Sequence, residues 1–142
     1  MAHNRPVHFE IHAADPERAA KFYGEVFGWT NKKYEFPGGI DYWIVMTGPE
    51  SKDPANLENP GINGGILKRH GSQAPVDGAA VNAYIITMTV EKIDETITKI
   101  LAAGGTEALP KNLMPGVGWL AYYKDTEGNI FGILQEEATE AK

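Results

Sequence analysis

The sequence predicts an α+β fold of two βαβββ modules that form a curved mixed sheet, an incomplete barrel around a concave pocket with the helices outside. The order strand, helix, strand, strand, strand occurs twice along the 142 residues. In addition, Asp15 precedes Gly28 by the same interval that Glu91 precedes Gly104, and each pair brackets a helical pattern. A doubly wound parallel sheet would alternate strands and helices throughout, and this chain does not.

The first module, about residues 6–70, opens with a strand of strict two-residue alternation. His8, Glu10 and His12 alternate with apolar residues, so their side chains lie on one face of the strand. Neighbours on such a face are roughly 6–7 Å apart, near enough for two side chains to act on one ligand. His12 lies at the end of the strand, where a turn or surface role is common. This polar face is therefore the first candidate for a functional site.

A capped helix follows the first strand. Asp15 is placed to accept hydrogen bonds from the first helical turn, Pro16 is at the first helical position, and Gly28 supplies the stop. Apolar residues recur at three- and four-residue spacing between them, which predicts one buried helix face. Strands are then predicted at 30–36, 40–47 and 64–69, with a long loop over 48–63.

The second module, about residues 81–136, repeats this plan after a linker at 71–80. Its predicted elements are a strand at 81–90, a helix at 91–103 and strands at 106–109, 119–123 and 130–136. Residues 111–118 are predicted to form a loop, and 137–142 a frayed tail. One domain of two modules is therefore expected for the whole chain.

Composition excludes several classes of function. The net charge of −6 gives no basic surface for nucleic acid or for an anionic membrane. The absence of cysteine excludes disulfides, zinc thiolate sites and thiol nucleophiles. No apolar run approaches the ~20 residues of a membrane span, and the first residues have no apolar signal segment. A cytoplasmic location is the expectation that remains.

Several segments, taken in order, resemble the vicinal oxygen chelate superfamily of glyoxalases, bleomycin resistance proteins and dioxygenases. The segments are VHFEI, then Asp15-Pro16 with RAAKFYGEVFGW, then AAGG, PGVGW and DTEGNIFGILQ. Together they look most like the single-domain group described as lactoylglutathione lyase-related. The resemblance implies a pocket for a small molecule and a homodimer.

The resemblance also implies positions for a divalent metal on the first and last strand of each module. His8 is at the first ligand position, and its counterpart in the second module is Tyr84 or Ile85, depending on alignment. Gly132 occupies the position where glyoxalase-like members carry Glu, and residues 64–67 offer no ligand. Only His8 of the usual ligand set is thus in place.

Two functions are consistent with this pattern. The first is a glyoxalase-like enzyme, a lyase or an oxygenase, in which His8 and Glu10 are catalytic, with a metal on His8 or by acid–base chemistry without one. The second is a protein of the bleomycin resistance type that binds a small molecule without converting it. Aromatic side chains commonly line such pockets. The residues predicted to bind the ligand are Tyr84, Trp43, Trp119 and Tyr123.

Overall fold

The computed structural model describes residues 8–35, 41–48, 61–69, 71, 75–78 and 85–137. The chain divides into two compact units, residues 1–73 and 74–142. In the described residues, each unit has one helix and one four-stranded mixed sheet, which confirms the predicted α+β fold of two βαβββ modules. Among the described residues, no helix is long and apolar enough to cross a membrane.

Unit 1 follows the predicted order of elements closely. Its strands occur in the order β1-β4-β3-β2; β1 pairs with β4 in parallel, and the other pairs are antiparallel. Residues 49–60 of the loop predicted at 48–63 lie outside the described residues. The elements are β1 (Phe9–Ala13), α1 (Pro16–Phe27), β2 (Thr30–Glu35), β3 (Asp41–Met46) and β4 (Gly64–Lys68).

Helix α1 begins and ends where its sequence signals predicted. The Asp15 carboxylate accepts a hydrogen bond from the Arg18 amide at 3.2 Å, and Pro16 occupies the first turn. Gly28 ends the helix with φ of 74°, a left-handed conformation that favours glycine. The apolar residues of α1 are buried against the sheet, as their three- and four-residue spacing predicted.

The sheet of unit 1 has two chemically different faces. The face packed against α1, here the near face, carries the buried Phe9, Ile11 and Ala13 of β1. The opposite face, here the far face, carries His8, Glu10 and His12, because successive side chains of a strand alternate. The α1 side of β1 therefore builds the core, and the other side is left for polar chemistry.

Unit 2 repeats this topology with different lengths. Its strand order is β5-β8-β7-β6, with β5 parallel to β8. Residues 81–84 of the strand predicted at 81–90 lie outside the described residues. The elements are β5 (Thr87–Thr89), α2 (Ile93–Ala102), β6 (Thr106–Met114), β7 (Gly118–Lys124) and β8 (Ile130–Glu136).

The loop predicted at 111–118 was right for residues 115–117, which form a turn, and wrong for residues 111–114, because β6 continues through Met114. This strand is at one end of the strand order, where Pro110 is tolerated since its missing amide need not enter a ladder. The pairing with β7 shifts register between Leu109 and Asn112, which accommodates the irregular stretch. The chain then reverses at Pro115 and Gly116, and the Val117 amide donates to the Met114 carbonyl at 2.9 Å.

Helix α2 covers the near face of the second sheet. Its Ile93 and Ile100 are buried, as are Ala121 of β7 and Ile133 of β8, which pair with each other. The first helical amide, that of Ile93, donates a hydrogen bond to the side-chain oxygen Oε1 of Gln135 at 2.9 Å. A strand residue thus caps this helix, since Lys92 at the cap position makes no side-chain cap.

Candidate functional site

Three polar side chains meet on the far face of unit 1. The His8 ring nitrogen Nε2 is 2.9 Å from the Tyr42 hydroxyl oxygen and 3.7 Å from Glu10 Oε2. The Glu10 carboxylate is also close enough to the Tyr42 hydroxyl to raise the pKa of that hydroxyl. The side chains of His8 and Glu10 are 50% and 44% exposed, so a molecule from solution can reach them. We call these three residues the His8–Tyr42–Glu10 cluster.

A glycine on β4 allows the cluster to form. Gly65 is paired with Glu10 on one side and Ile44 on the other. A Cβ atom at Gly65 would be 2.0 Å from the Tyr42 hydroxyl oxygen and 2.1 Å from its Cζ. The Tyr42 ring therefore crosses β4 over the empty position and reaches the two polar residues of β1.

Tyr42 is held in its neutral form. Burial is the largest cause of the raised pKa of the Tyr42 hydroxyl, and the charge and hydrogen bond of Glu10 raise it further. A phenol whose pKa is above the ordinary value of about 10 keeps its proton at neutral pH. It can therefore donate a hydrogen bond to the carboxylate while its oxygen accepts one from His8.

The rest of the far face is apolar in the middle and cationic at its other end. Glu10, Gly65, Ile44 and Lys32 form one row across the four strands, because each is the direct partner of the next. The neighbouring Lys33 pairs with Trp43, so it lies on the near-face side. The far face thus presents a carboxylate and an imidazole at one end of the row and an ammonium group at the other.

The structure brings some predicted site residues together and separates others. His8 and Glu10 are in contact, whereas Trp43 is partnered with Ile66 and lies on the near face. Tyr42 is on the opposite face from Trp43, because side chains alternate along a strand. The register pairs Tyr42 with Leu67, which is also the partner of His12, so Tyr42 lies on the far face beside His8 and Glu10. Tyr84 lies outside the described residues.

The other two predicted ligand residues belong to the near face of unit 2. Tyr123 is 3% exposed, pairs with Phe131, and donates a hydrogen bond to Glu107 Oε1 at 3.4 Å. Trp119 is partly exposed and lies under Lys111, whose Nζ is 4.8 Å from the ring centroid. Neither belongs to the His8–Tyr42–Glu10 cluster.

The described residues do not fit the metal site of the superfamily. Thr87 pairs with Gly132 in unit 2 as Glu10 pairs with Gly65 in unit 1, so two residues earlier the counterpart of His8 is Ile85. The two central-strand positions are both glycine and offer no ligand. In the described part of the chain, no group of three or more His, Cys, Asp or Glu side chains could hold a metal ion.

Comparisons with known proteins identify the family. The family model described as bleomycin resistance protein-like N-terminal matches residues 5–40. A "Glyoxylase-like domain-containing protein" of Didymella fabae is 30% identical over 134 residues, which cover 94% of each chain. Two mycobacterial relatives are 27% identical, and the chain spans 42% of their length.

Solved structures show the same fold. A glyoxalase I variant from Zea mays superposes with a TM-score of 0.69 at 19% identity, over 96% of this chain and 47% of that one. A variant of the fosfomycin resistance protein FosX from Listeria monocytogenes, complexed with Mn(II), gives 0.66 at 15% identity, over 96% and 95%. With its two βαβββ units and a relative of 30% identity along almost all of its length, this chain belongs to the glyoxalase/bleomycin resistance protein/dioxygenase family of the vicinal oxygen chelate superfamily.

Proposed function

We propose that this protein is a glyoxalase-like enzyme that converts a small molecule by acid–base chemistry, with His8 as the residue that exchanges a proton with the substrate. The observation that supports this most strongly is the His8–Tyr42–Glu10 cluster, in which a half-exposed imidazole is held at 2.9 Å by a neutral phenol. The described residues lack the ligands for a family-type metal site, so the proposal assigns the chemistry to the side chains themselves.

Each member of the cluster has a separate task in this proposal. Imidazole can both take and give a proton near neutral pH, and a positioned acid–base group typically contributes about 10²–10⁴ in rate. Glu10 at 3.7 Å stabilises the positive charge that His8 gains with a proton. Tyr42 connects the two and fixes the orientation of the ring. The exposed edge of His8 is left for the substrate.

The far face also suggests a class of substrate. Its row runs from Glu10 across Gly65 and Ile44 to Lys32, about 14 Å at the usual strand spacing. The flexible Lys32 side chain shortens the gap between its ammonium group and the cluster. A molecule with an apolar body and one carboxylate or phosphate group would meet His8 at one end and Lys32 at the other.

A paired-compound screen tests the proposal. We would measure thermal shifts with carboxylic acids and their primary amides, and then follow each stabilising compound for conversion by NMR. We expect acids to be enriched among the hits, and at least one to be converted at a rate that His8→Gln lowers about 100-fold or more. His12→Gln is the matched control, because His12 is on the same strand face and outside the cluster. Hits that bind but are never converted would contradict the enzyme proposal and favour a binding protein.

Two adjacent lysines separate the substrate class from a general charge effect. Lys32→Gln should weaken binding of the acids and leave the amides unchanged. Lys33→Gln removes the same charge from the same strand on the opposite face, and it should leave both unchanged. Equal losses in the two variants would remove the assignment of Lys32.

Metal analysis tests the acid–base part separately. We expect protein purified without a chelator or an affinity tag to contain no stoichiometric Ni, Zn, Fe or Mn, and added metals to leave its melting temperature unchanged. A stoichiometric metal that disappears in His8→Ala would contradict acid–base chemistry without a metal and would favour a metal-dependent reaction.

The predicted homodimer is tested on the same samples by light scattering, and the predicted cytoplasmic location by fractionation.

A further inference from the structure

Asn63 and Gly64, where β4 begins, are the only Asn-Gly pair in the sequence. Asparagine before glycine is prone to deamidation, because a residue without a side chain lets its backbone nitrogen approach the asparagine side chain. The fold requires this glycine, since a Cβ atom at Gly64 would be 2.7 Å from Cγ of the Phe9 ring. The packing of β1 against β4 therefore keeps a chemically labile pair in the sheet.

Thr47 holds Asn63 through its backbone and its side chain. The Thr47 amide donates a hydrogen bond to Asn63 Oδ1 at 2.8 Å, and this fixes the orientation of the side-chain amide, because only its oxygen can accept. The Thr47 hydroxyl donates to the Ile62 carbonyl at 2.9 Å and lies 3.2 Å from the same Oδ1. We call Thr47, Ile62 and Asn63 the Thr47 clamp.

Gly64 supplies the other reacting atom of a deamidation. It is buried and is paired with Phe9 of β1 on one side and with Val45 of β3 on the other, so its nitrogen has a fixed position in the sheet. Ring closure needs Asn63 Cγ at bonding distance from that nitrogen. The Asn63 side chain has to leave Thr47, and the backbone before Gly64 has to turn, for the two atoms to meet.

We infer that Asn63 is a deamidation site that the Thr47 clamp keeps closed in the folded protein and that reacts when the start of β4 detaches. The Gly64 nitrogen gives its proton to water and attacks Asn63 Cγ. The N–Cγ bond forms, the Cγ–Nδ2 bond breaks, and Nδ2 takes a proton from water and leaves as ammonia. Water then opens the succinimide ring at one of its two carbonyls, which gives aspartate or isoaspartate at position 63.

The product changes the edge of the candidate site. The register that pairs Phe9 with Gly64 places Asn63 beside His8, each one residue before its strand. Aspartate at position 63 adds a negative charge there, and isoaspartate adds one carbon to the backbone immediately before Gly64. The inference does not depend on the proposed function, because the modification is measured without a substrate.

Incubation of the protein in mildly alkaline buffer, with and without urea, tests the inference. Peptide mass spectrometry follows Asn63, with Asn31 and Asn112 as internal references, because neither of them precedes glycine. In urea, Asn63 should be modified before the two references. In buffer its modification should be slower by about tenfold or more, because only molecules in which this segment is open can react.

Three variants test the role of the clamp. Thr47→Val keeps the backbone hydrogen bond and removes the hydroxyl, so it should speed modification of the folded protein about fivefold, the equivalent of one hydrogen bond. Thr47→Ser retains the hydroxyl and should stay near the wild-type rate. Thr30→Val is the matched control, because Thr30 is the cross-strand partner of Met46 and loses the same hydroxyl beside the clamp.

Equal rates with and without urea, or an unchanged rate in Thr47→Val, would overturn the inference. Equal acceleration in Thr30→Val would also overturn it, because it would reveal a general loosening of the sheet. Amide NMR spectra show whether each variant is folded.

Hydrogen exchange at the Gly64 amide of the wild-type protein is a second test that needs no variant. Its rate should rise in parallel with the modification rate as urea is added, because both reactions need the same opening. A modification rate that stays constant while exchange accelerates would contradict opening as the controlling step.

Discussion

The two units share one topology and differ in the chemistry of one face. In each, the first strand is parallel to the last, and a glycine of the last strand, Gly65 or Gly132, is the direct partner of a first-strand residue. That partner is Glu10 in unit 1 and Thr87 in unit 2. At this paired position the acid–base group is therefore specific to unit 1, whereas the fold itself is common to both.

A similar pair of groups occurs in both units on opposite faces. Tyr42 lies beside Glu10 on the far face, and Tyr123 is hydrogen-bonded to Glu107 on the near face. Burial is the largest cause of the raised pKa of both tyrosines, and the neighbouring glutamate raises each pKa further. On the far face of unit 1 the pair contacts the half-exposed His8, whereas on the near face of unit 2 the Tyr123 ring is buried in the core. The face on which the pair lies therefore determines whether it can contribute to a site.

The largest expected loss of stability is at Asp125 of unit 2, and the matched substitution in unit 1 is at Asp15. Asp125 is 4% exposed, and its carboxylate accepts hydrogen bonds from the amides of Glu127 and Asn129 and from the Asn129 side chain. Asp125→Ala should lower the free energy of unfolding by about 3 kcal/mol, because buried donors lose their partners. Asp15→Ala removes one exposed helix cap and should cost about 1 kcal/mol. Urea titrations measure both, and equal losses would contradict the distinction between them.

The two central-strand glycines should respond differently to the same substitution. Gly65→Ala introduces a Cβ at 2.0 Å from the Tyr42 hydroxyl, so the ring must leave the cluster, with a stability loss of about 1–2 kcal/mol. The rate of any His8-dependent conversion should then fall. In Gly132→Ala the Cβ would be 2.6 Å from Thr87 Oγ1, which predicts a stability loss of the same order. That rate should be unchanged in Gly132→Ala, and an equal fall in the two variants would contradict a specific role of Gly65 in the cluster.

The two tyrosine–glutamate pairs predict the behaviour of the protein in alkali. A folded-state pKa above the unfolded value means that stability is complete below pH 10 and falls as the pH rises through the folded pKa. Glu10→Gln should lower the pKa of Tyr42 alone, and Glu107→Gln that of Tyr123 alone, because each glutamate is one cause of the shift. ¹³C NMR titration of the tyrosine ring carbons measures this directly. A joint response of both tyrosines to either substitution would contradict two separate pairs.

The smallest effect is expected at surface ion pairs. Lys111 Nζ is 2.8 Å from Asp94 Oδ1 and also lies over the Trp119 ring, so Lys111→Gln should cost about 0.5–1 kcal/mol. Lys21→Gln in unit 1 breaks an exposed contact of 3.9 Å to Glu25 and should cost about 0.3 kcal/mol. Thermal unfolding in low and high salt compares them, and the Lys111 effect should persist better in salt because part of it is packing against the ring.

The sequence predicted most of the fold because its signals are local. Asp15, Pro16 and Gly28 determine the ends of α1 through hydrogen bonds and backbone angles within a few residues. The end of β6 was missed because Pro110 normally breaks a strand, and only its position at the end of the strand order makes it acceptable. Terminal-strand status depends on pairing between distant segments, which local patterns do not contain.

The candidate site was predicted in part for the same reason. His8 and Glu10 follow from alternation in one strand. Tyr42 and Trp43 could be distinguished only by the register between β3, β4 and β1. Gly65 could not be recognised from sequence as the residue that admits the Tyr42 ring, because its role is the absence of a side chain beside another strand.

The parallel pairing of β1 has a consequence for when the cluster can exist. β2, β3 and β4 are joined by antiparallel contacts, whereas Phe9 must find Gly64 before His8 can meet Tyr42. Pairing over such a sequence distance closes a long loop, and its entropy cost delays it during folding. We therefore expect β1 to join last during folding. Brief detachment of this strand in the native protein would then separate His8 from Tyr42 while leaving most of the sheet intact. Hydrogen exchange at the β1 amides would report how often that happens.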